Sequence, residues 1–143
     1  PPDEPLLWSD EPLSVLIPGI VPLPETDWVL EARILDRWDM TEITAPDDRW
    51  TAHLDADALT EPVRLRTRRP GDRFHPYGMG GHTVKVSDLM INLKIPKAWR
   101  DHVPLLVAGD DVAWICGRRI AEHVAVKLET RQVTRFRFER TRQ

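Results

Sequence analysis

Five arginines stand between positions 64 and 73: Arg64, Arg66, Arg68, Arg69 and Arg73, interrupted by Pro70-Gly71-Asp72. A guanidinium presents a fixed fork of N–H donors that matches the oxygens of a phosphate. Arg64, Arg66 and Arg68 alternate with Val63, Leu65 and Thr67. Alternate residues of a strand share a face, so this spacing predicts three guanidinium groups in a row, roughly 7 Å apart. That is close to the interval between nucleic-acid phosphates, and the Val63-Leu65 phase is left to face a core. The same charges would equally serve a solvated edge strand that must avoid pairing with other chains. Lys85, Lys94, Lys97, Arg100, Arg118 and Arg119 follow around a loop containing Gly78, Gly80 and Gly81. Together with the arginine strand they predict one basic surface, suited to phosphate and 2′-OH contacts on an RNA duplex.

Other chemistries find little support. The glycine loop does not fit G-x-x-x-x-G-K-[ST] or a dinucleotide fingerprint, and its glycines read as permissive turn residues. His53, His75, His82, His102 and His123 show no metal-ligand spacing. With a single cysteine, no structural zinc site is expected. His75 and His82 on the glycine loop read as solvated residues, the alternative being a pair that meets a ligand or phosphate. Ser9, Ser14 and Ser87 lie in no nucleophile context. Asp72 is expected to accept loop N–H groups or to pair with Arg69 or Arg73. Arg100-Asp101 reads as a local ion pair.

Composition sets the frame. The chain has 143 residues, 41% of them hydrophobic, enough for a core of one or two small domains. No apolar run reaches the roughly 18 residues of a membrane span, and no signal peptide opens the chain. It begins at Pro1 and is expected to be part of a longer protein. Cys116 cannot form an intramolecular disulfide, which fits a reducing cytoplasm. In the run Val112 to Cys116 it reads as a small buried hydrophobe. The net charge of -3 conceals a division. Residues 1–60 hold 3 Lys and Arg against 14 Asp and Glu, and residues 61–143 hold 17 against 9. Two readings follow: an acidic flank beside a polyanion-binding half, or two halves that neutralise each other across one interface.

The elements that must position these residues follow from period and punctuation. Residues 1–12, rich in Pro, Asp and Glu, read as a linker or frayed end. Residues 13–60 read as an acidic, β-rich approach segment, and 61–143 as a basic C-terminal domain. Two short strands are expected around Pro18-Gly19, then strands at 28–35 and 50–54 with a loop over 36–48 between them. Residues 55–59 predict a tight turn or one helical turn. Val86, Leu89, Met90 and Leu93 recur at helical spacing, with Ser87 a candidate cap. Pro96 and Pro104 bracket a second short helix over 96–103. Gly109-Asp110-Asp111 predicts a hairpin between 105–108 and 112–116. Phe136 and Phe138 predict a closing strand. The six tryptophans read as core or interface anchors.

The order R-x-R-x-x-GDR, GM-x-G, K-x-x-D, IP, RD-x-x-PL and W-x-x-G, running from Val63 to Ile120, resembles the C-terminal domain of the tRNA(Ile)-lysidine synthetase family. Pro18-Gly19, Trp28 and His53-Leu54-Asp55 resemble the approach to that domain. The resemblance implies an α/β, α+β-like fold. Short mixed or antiparallel sheets would form an irregular sandwich with short helices, similar to a domain of the phenylalanyl-tRNA synthetase β subunit. It also implies a parent ligase that uses ATP, with magnesium, to attach lysine to the wobble cytidine of tRNA(Ile) with a CAU anticodon. The N-terminal ATP-pyrophosphatase domain of such a parent carries a Ser-Gly-Gly-x-Asp-Ser loop, which this sequence lacks. No cofactor and no catalytic residue is therefore expected here, only contact with tRNA(Ile) and with that N-terminal domain. Where the family has further lysines before the helix, this chain has Thr83, Val84 and Ser87, so phosphate contact there rests on Lys85. The rival reading is a structural or protein-interaction module whose basic face is covered by the acidic N-terminal segment. A stand-alone enzyme acting on a small anion at Gly78–Gly81 lacks any nameable acid, base and nucleophile.

Overall fold

Alternation of apolar and polar residues sets the longer antiparallel strands of this chain. A computed structural model describes residues 3–44 and 48–141. The strands are β1 (Leu13–Ser14), β2 (Gly19–Pro22), β3 (Trp28–Leu35), β4 (Thr51–Asp55), β5 (Val63–Arg66) and β6 (Arg73–Phe74). They continue with β7 (Val84–Lys85), β8 (Leu105–Ala108), β9 (Asp111–Ile115), β10 (Arg119–Ile120) and β11 (Val133–Arg140). Among the described residues, two helices, α1 (Met40–Thr44) and α2 (Val86–Asn92), and three short 3-10 turns complete the set.

One sheet has the order β1-β5-β8-β9-β10, the second β2-β3-β11-β4, and β6-β7 form a separate hairpin. All strand pairs are antiparallel. In β11, Phe136 and Phe138 point into the core while Arg135 and Arg137 lie on the other phase. β8 sits between two neighbours and is buried along its whole length, as its unbroken apolar run requires. The sheets meet through Leu30, Ala32 and Phe138 on one side and Leu65, Leu105 and Trp114 on the other, all in one core. The Trp114 and Phe138 rings lie 5.6 Å apart, centroid to centroid. Among the described residues, no helix is long and apolar enough to cross a membrane.

Several expectations change. Residues 3–12 are not a linker: Leu6 and Leu7 are buried. The Leu7 N–H donates to the His102 carbonyl at 2.8 Å, and His102 Nδ1 lies 3.0 Å from the Leu7 carbonyl. A short apolar pair with a distant backbone partner outweighs the proline-rich composition around it. The division at residue 60 is not one of packing either, because β1 pairs with β5 and β11 lies between β3 and β4. The 36–48 segment contains α1 rather than being all loop; residues 45–47 of that reading lie outside the described residues. Lys85, not Ser87, occupies the N-cap position of α2 and makes no side-chain cap bond. The expected helix at 96–103 is a single 3-10 turn over Lys97–Trp99.

Candidate nucleic-acid interface

The arginine strand ends early, and that decides which guanidinium groups face outward. Arg64 is exposed on β5, but the Arg66 side chain is only 9% exposed. The chain turns back over the end of the strand through Pro70 and Gly71, whose φ of +87° is the left-handed value a type II turn needs at its third position. The Asp72 N–H closes this turn on the Arg69 carbonyl at 3.1 Å. Asp72 thereby reaches Arg66: Nη1 donates to Oδ2 at 2.9 Å and Nη2 to Oδ1 at 3.0 Å. The Arg69 N–H adds a bond to Oδ2 at 2.7 Å. Burial raises the cost of charge on Asp72, but hydrogen bonds from Arg66 and the Arg69 N–H, then their positive charges, outweigh it. The carboxyl consequently sits below its ordinary 3.8. The row of three outward guanidiniums is thus corrected. Arg66 is a clasp inside the loop, and Asp72 pairs with it rather than with the side chains of Arg69 or Arg73.

Beyond the clasp, the Val86 N–H donates to the Asp72 carbonyl at 3.0 Å, which ties the start of α2 to the turn. The β6–β7 hairpin then sets Arg73 directly opposite Lys85. Both are exposed. The glycine loop springs from this hairpin, with Gly78, Gly80 and Gly81 at φ between +63° and +81°. Its stem is held to β10 by a bridge from Pro76 to Ala121 and by the Tyr77 N–H on the Ile120 carbonyl at 3.0 Å. This places Arg119 beside Tyr77. Arg73, Lys85 and Arg119 line one hollow together with Tyr77, Met79 and Asp88. Lys85 also joins Arg68 and Arg69 around the neighbouring hollow.

The remaining cations divide. Arg118 is turned inward onto Glu4, 2.9 Å away, with its side chain 10% exposed. Arg100 donates from Nε to the Ile95 carbonyl at 2.9 Å instead of pairing with Asp101, which binds Arg68 Nε at 3.0 Å. Arg64, Lys94 and Lys97 are exposed but line neither hollow. Acids from the N-terminal segment pair with Arg118, Arg131, Arg135 and Arg140. Among the described residues, none pairs with Arg69, Arg73, Lys85 or Arg119. Burial pushes the Cys116 thiol well above its ordinary value, so it stays protonated and inert.

Tyr77, Arg49 and His53 went unnoticed as candidate contacts in the sequence. A third cleft, between β4 and β10, brings all three together. The only sequence signal was an aromatic residue inside a glycine-rich loop.

Two antiparallel sheets around one core, with cations gathered at a glycine-rich hairpin, define an α+β domain. The family model for the TilS substrate C-terminal domain matches residues 63–137, just over half of the chain, and the chain belongs to that family. It is 40% identical over 103 residues to a tRNA(Ile)-lysidine synthase of Symbiobacterium thermophilum, covering 72% of this chain and 20% of that protein. A tRNA(Ile)-lysidine synthase of Dehalococcoides mccartyi is 35% identical over 111 residues, covering 78% and 23%. The chain therefore spans about a fifth of the length of these curated relatives. A crystal structure of a TilS C-terminal domain superposes with a TM-score of 0.75 at 22% identity, covering 93% of this chain and 98% of that one. At that identity it supports the fold.

Proposed function

We propose that this chain is the tRNA-holding, non-catalytic C-terminal portion of a tRNA(Ile)-lysidine synthase, acting in the cytoplasm. The parent would be a ligase that joins lysine to the wobble cytidine of tRNA(Ile). ATP, magnesium and lysine would be handled by its N-terminal domain. The observation that carries this reading is the Arg73–Lys85 pair. Like charges directly opposite on an antiparallel pair repel, and a phosphate between them removes that penalty. Arg69 and Arg119 extend the same field on either side, and Arg68 lies beside them with Asp101 as its partner. Such contacts give affinity and orientation without reading bases. The covered-module reading needs N-terminal acids over this site, whereas Asp3, Glu4, Asp27, Glu31 and Asp57 of that segment pair with arginines outside it.

Filter binding of tRNA(Ile) at several salt concentrations tests the proposal. Binding should weaken steeply with salt. Lys85→Ala and Arg73→Ala should each flatten the slope of log affinity against log salt by about 0.7–0.9 while leaving the melting temperature near wild type. The isolated chain should neither hydrolyse ATP nor form lysidine. Unchanged slopes in both variants, or turnover that survives repurification, would overturn the reading.

A further inference from the structure

The cleft between β4 and β10 lies at the open seam of the fold, where the edge strands of the two sheets come side by side. Its volume is about 460 Å³, within the usual range for small-molecule sites, roughly 300–1,000 Å³. The floor is apolar: Trp114 is 2% exposed, with Ala52, Ala125 and Val126 around it. Arg49 and Arg119 supply positive charge at its rim. Arg49 is fixed by two contacts, its Nε on the Gly117 carbonyl at 3.1 Å and its guanidinium 4.5 Å above the Trp50 ring.

Tyr77 belongs to this cleft and also to the hollow that holds Arg73 and Lys85. It is 57% exposed. Trp8 is also exposed, but its ring packs against His102 at 4.4 Å. Tyr77 has no ring partner among the described residues. An exposed ring on a glycine-supported loop, next to a phosphate-facing cluster, is a platform without an occupant in the protein itself.

We infer that this cleft takes one unstacked nucleobase of the bound RNA, with Tyr77 as the stacking surface and Arg49 and Arg119 meeting the flanking phosphates. The inference rests on the proposed tRNA-binding role and extends it from backbone contact to a base. A base inside a helix is stacked on both faces, whereas an unpaired nucleotide is free to lay its flat face on Tyr77. The apolar floor suits the ring, and the two guanidinium groups select a ring that carries phosphate on either side. His53, on the wall, is held largely neutral by burial and by Arg135, so its ring can donate at one nitrogen and accept at the other.

The probe is a fluorescein-labelled four-nucleotide single-stranded RNA, compared by anisotropy at low salt with a ribose–phosphate tetramer of equal charge that lacks bases. The base-bearing tetramer should bind about tenfold more tightly, in line with one stacked base. Tyr77→Ala should erase that difference, and Tyr77→Phe should keep it. Equal affinity for the two tetramers, binding of neither, or full base preference in Tyr77→Ala would each overturn the inference. Measuring tRNA(Ile) alongside separates the two claims. If tRNA still binds with its full salt slope, the phosphate surface stands and only the base site is lost. If tRNA also fails to bind, both fall.

Discussion

Arg66 and Asp72 face each other fork to fork, both guanidinium Nη atoms bonded to both carboxylate oxygens at 2.9 and 3.0 Å. A third bond runs from Nη1 to the Thr67 carbonyl at 2.9 Å. The residue that sequence spacing aims at phosphate thus holds the loop that carries Arg69 and Arg73. Removing it leaves a largely buried carboxylate with one backbone donor. Arg66→Ala should destabilise the chain by about 2–4 kcal/mol in urea denaturation. Arg66→Lys should recover little, because an ammonium cannot match both oxygens. Where the variant is folded, its salt slope for tRNA should equal that of wild type, unlike Lys85→Ala.

The same pair sets an acid limit. Asp72 has a folded pKa below its ordinary 3.8, so the unfolded chain takes up this proton first. Its stabilisation is complete above that ordinary value and is lost as pH falls through the folded value. The stability gap between wild type and Asp72→Asn should therefore narrow on acidification below about pH 3.8. His53 acts in the same direction at higher pH. Burial first, then Arg135, hold its folded pKa below 6.5; Glu42 opposes them and Arg137 adds to them. The unfolded chain again binds the proton more readily, so stability should begin to fall as pH drops below 6.5. Urea midpoints measured across pH should show this upper decline in wild type and not in His53→Gln.

What was legible in the sequence depended on local period. β3, β11 and the β8–β9 hairpin could be read because each repeats its own pattern over successive residues and ends at a turn signal. Helix α2 could be read from the spacing of Val86 and Met90. The alternation of Arg64 and Arg66 correctly gives a shared strand face, but period cannot say that a later loop will cover half of it. Leu7 was lost for the same reason: its partner His102 is remote in sequence. The seam cleft is the extreme case. Tyr77 meets Arg49 only because the glycine-loop stem bridges to Ala121 and the two sheets close on one core.

Helix α2 separates two neighbours that share an apolar character. Met90 is fully buried, whereas Leu89 is half-buried and lines the hollow with Arg73 and Tyr77. Met90→Ala should cost about 2–5 kcal/mol, as for a large core side chain with no room to collapse. Leu89→Ala should cost about 1–2 kcal/mol, since part of its surface already meets water. Thermal melts of the two variants side by side check the ranking. Equal losses would mean that the helix presents both residues to the core alike.

Gly117, the last residue of the W-x-x-G motif, is required by the ring beside it. A Cβ at this position would stand 2.3 Å from Cζ3 and 2.6 Å from Cη2 of Trp50. Its φ of +79° is also a conformation that side-chain-bearing residues resist. The Trp50 ring cannot easily give way. Its centroid lies 6.4 Å from that of Trp28 and 6.2 Å from that of Phe138, and the Arg49 guanidinium covers it. Left-handed strain of about 1–2 kcal/mol and overpacking of about 1–3 kcal/mol act together. Gly117→Ala should thus lose about 2–4 kcal/mol and alter the near-ultraviolet circular dichroism of the tryptophans. Adding Trp50→Phe should restore part of the loss, because the smaller ring removes the clash while the backbone strain stays. A Gly117→Ala melt indistinguishable from wild type would show that the Trp50 ring swings clear of the new methyl group.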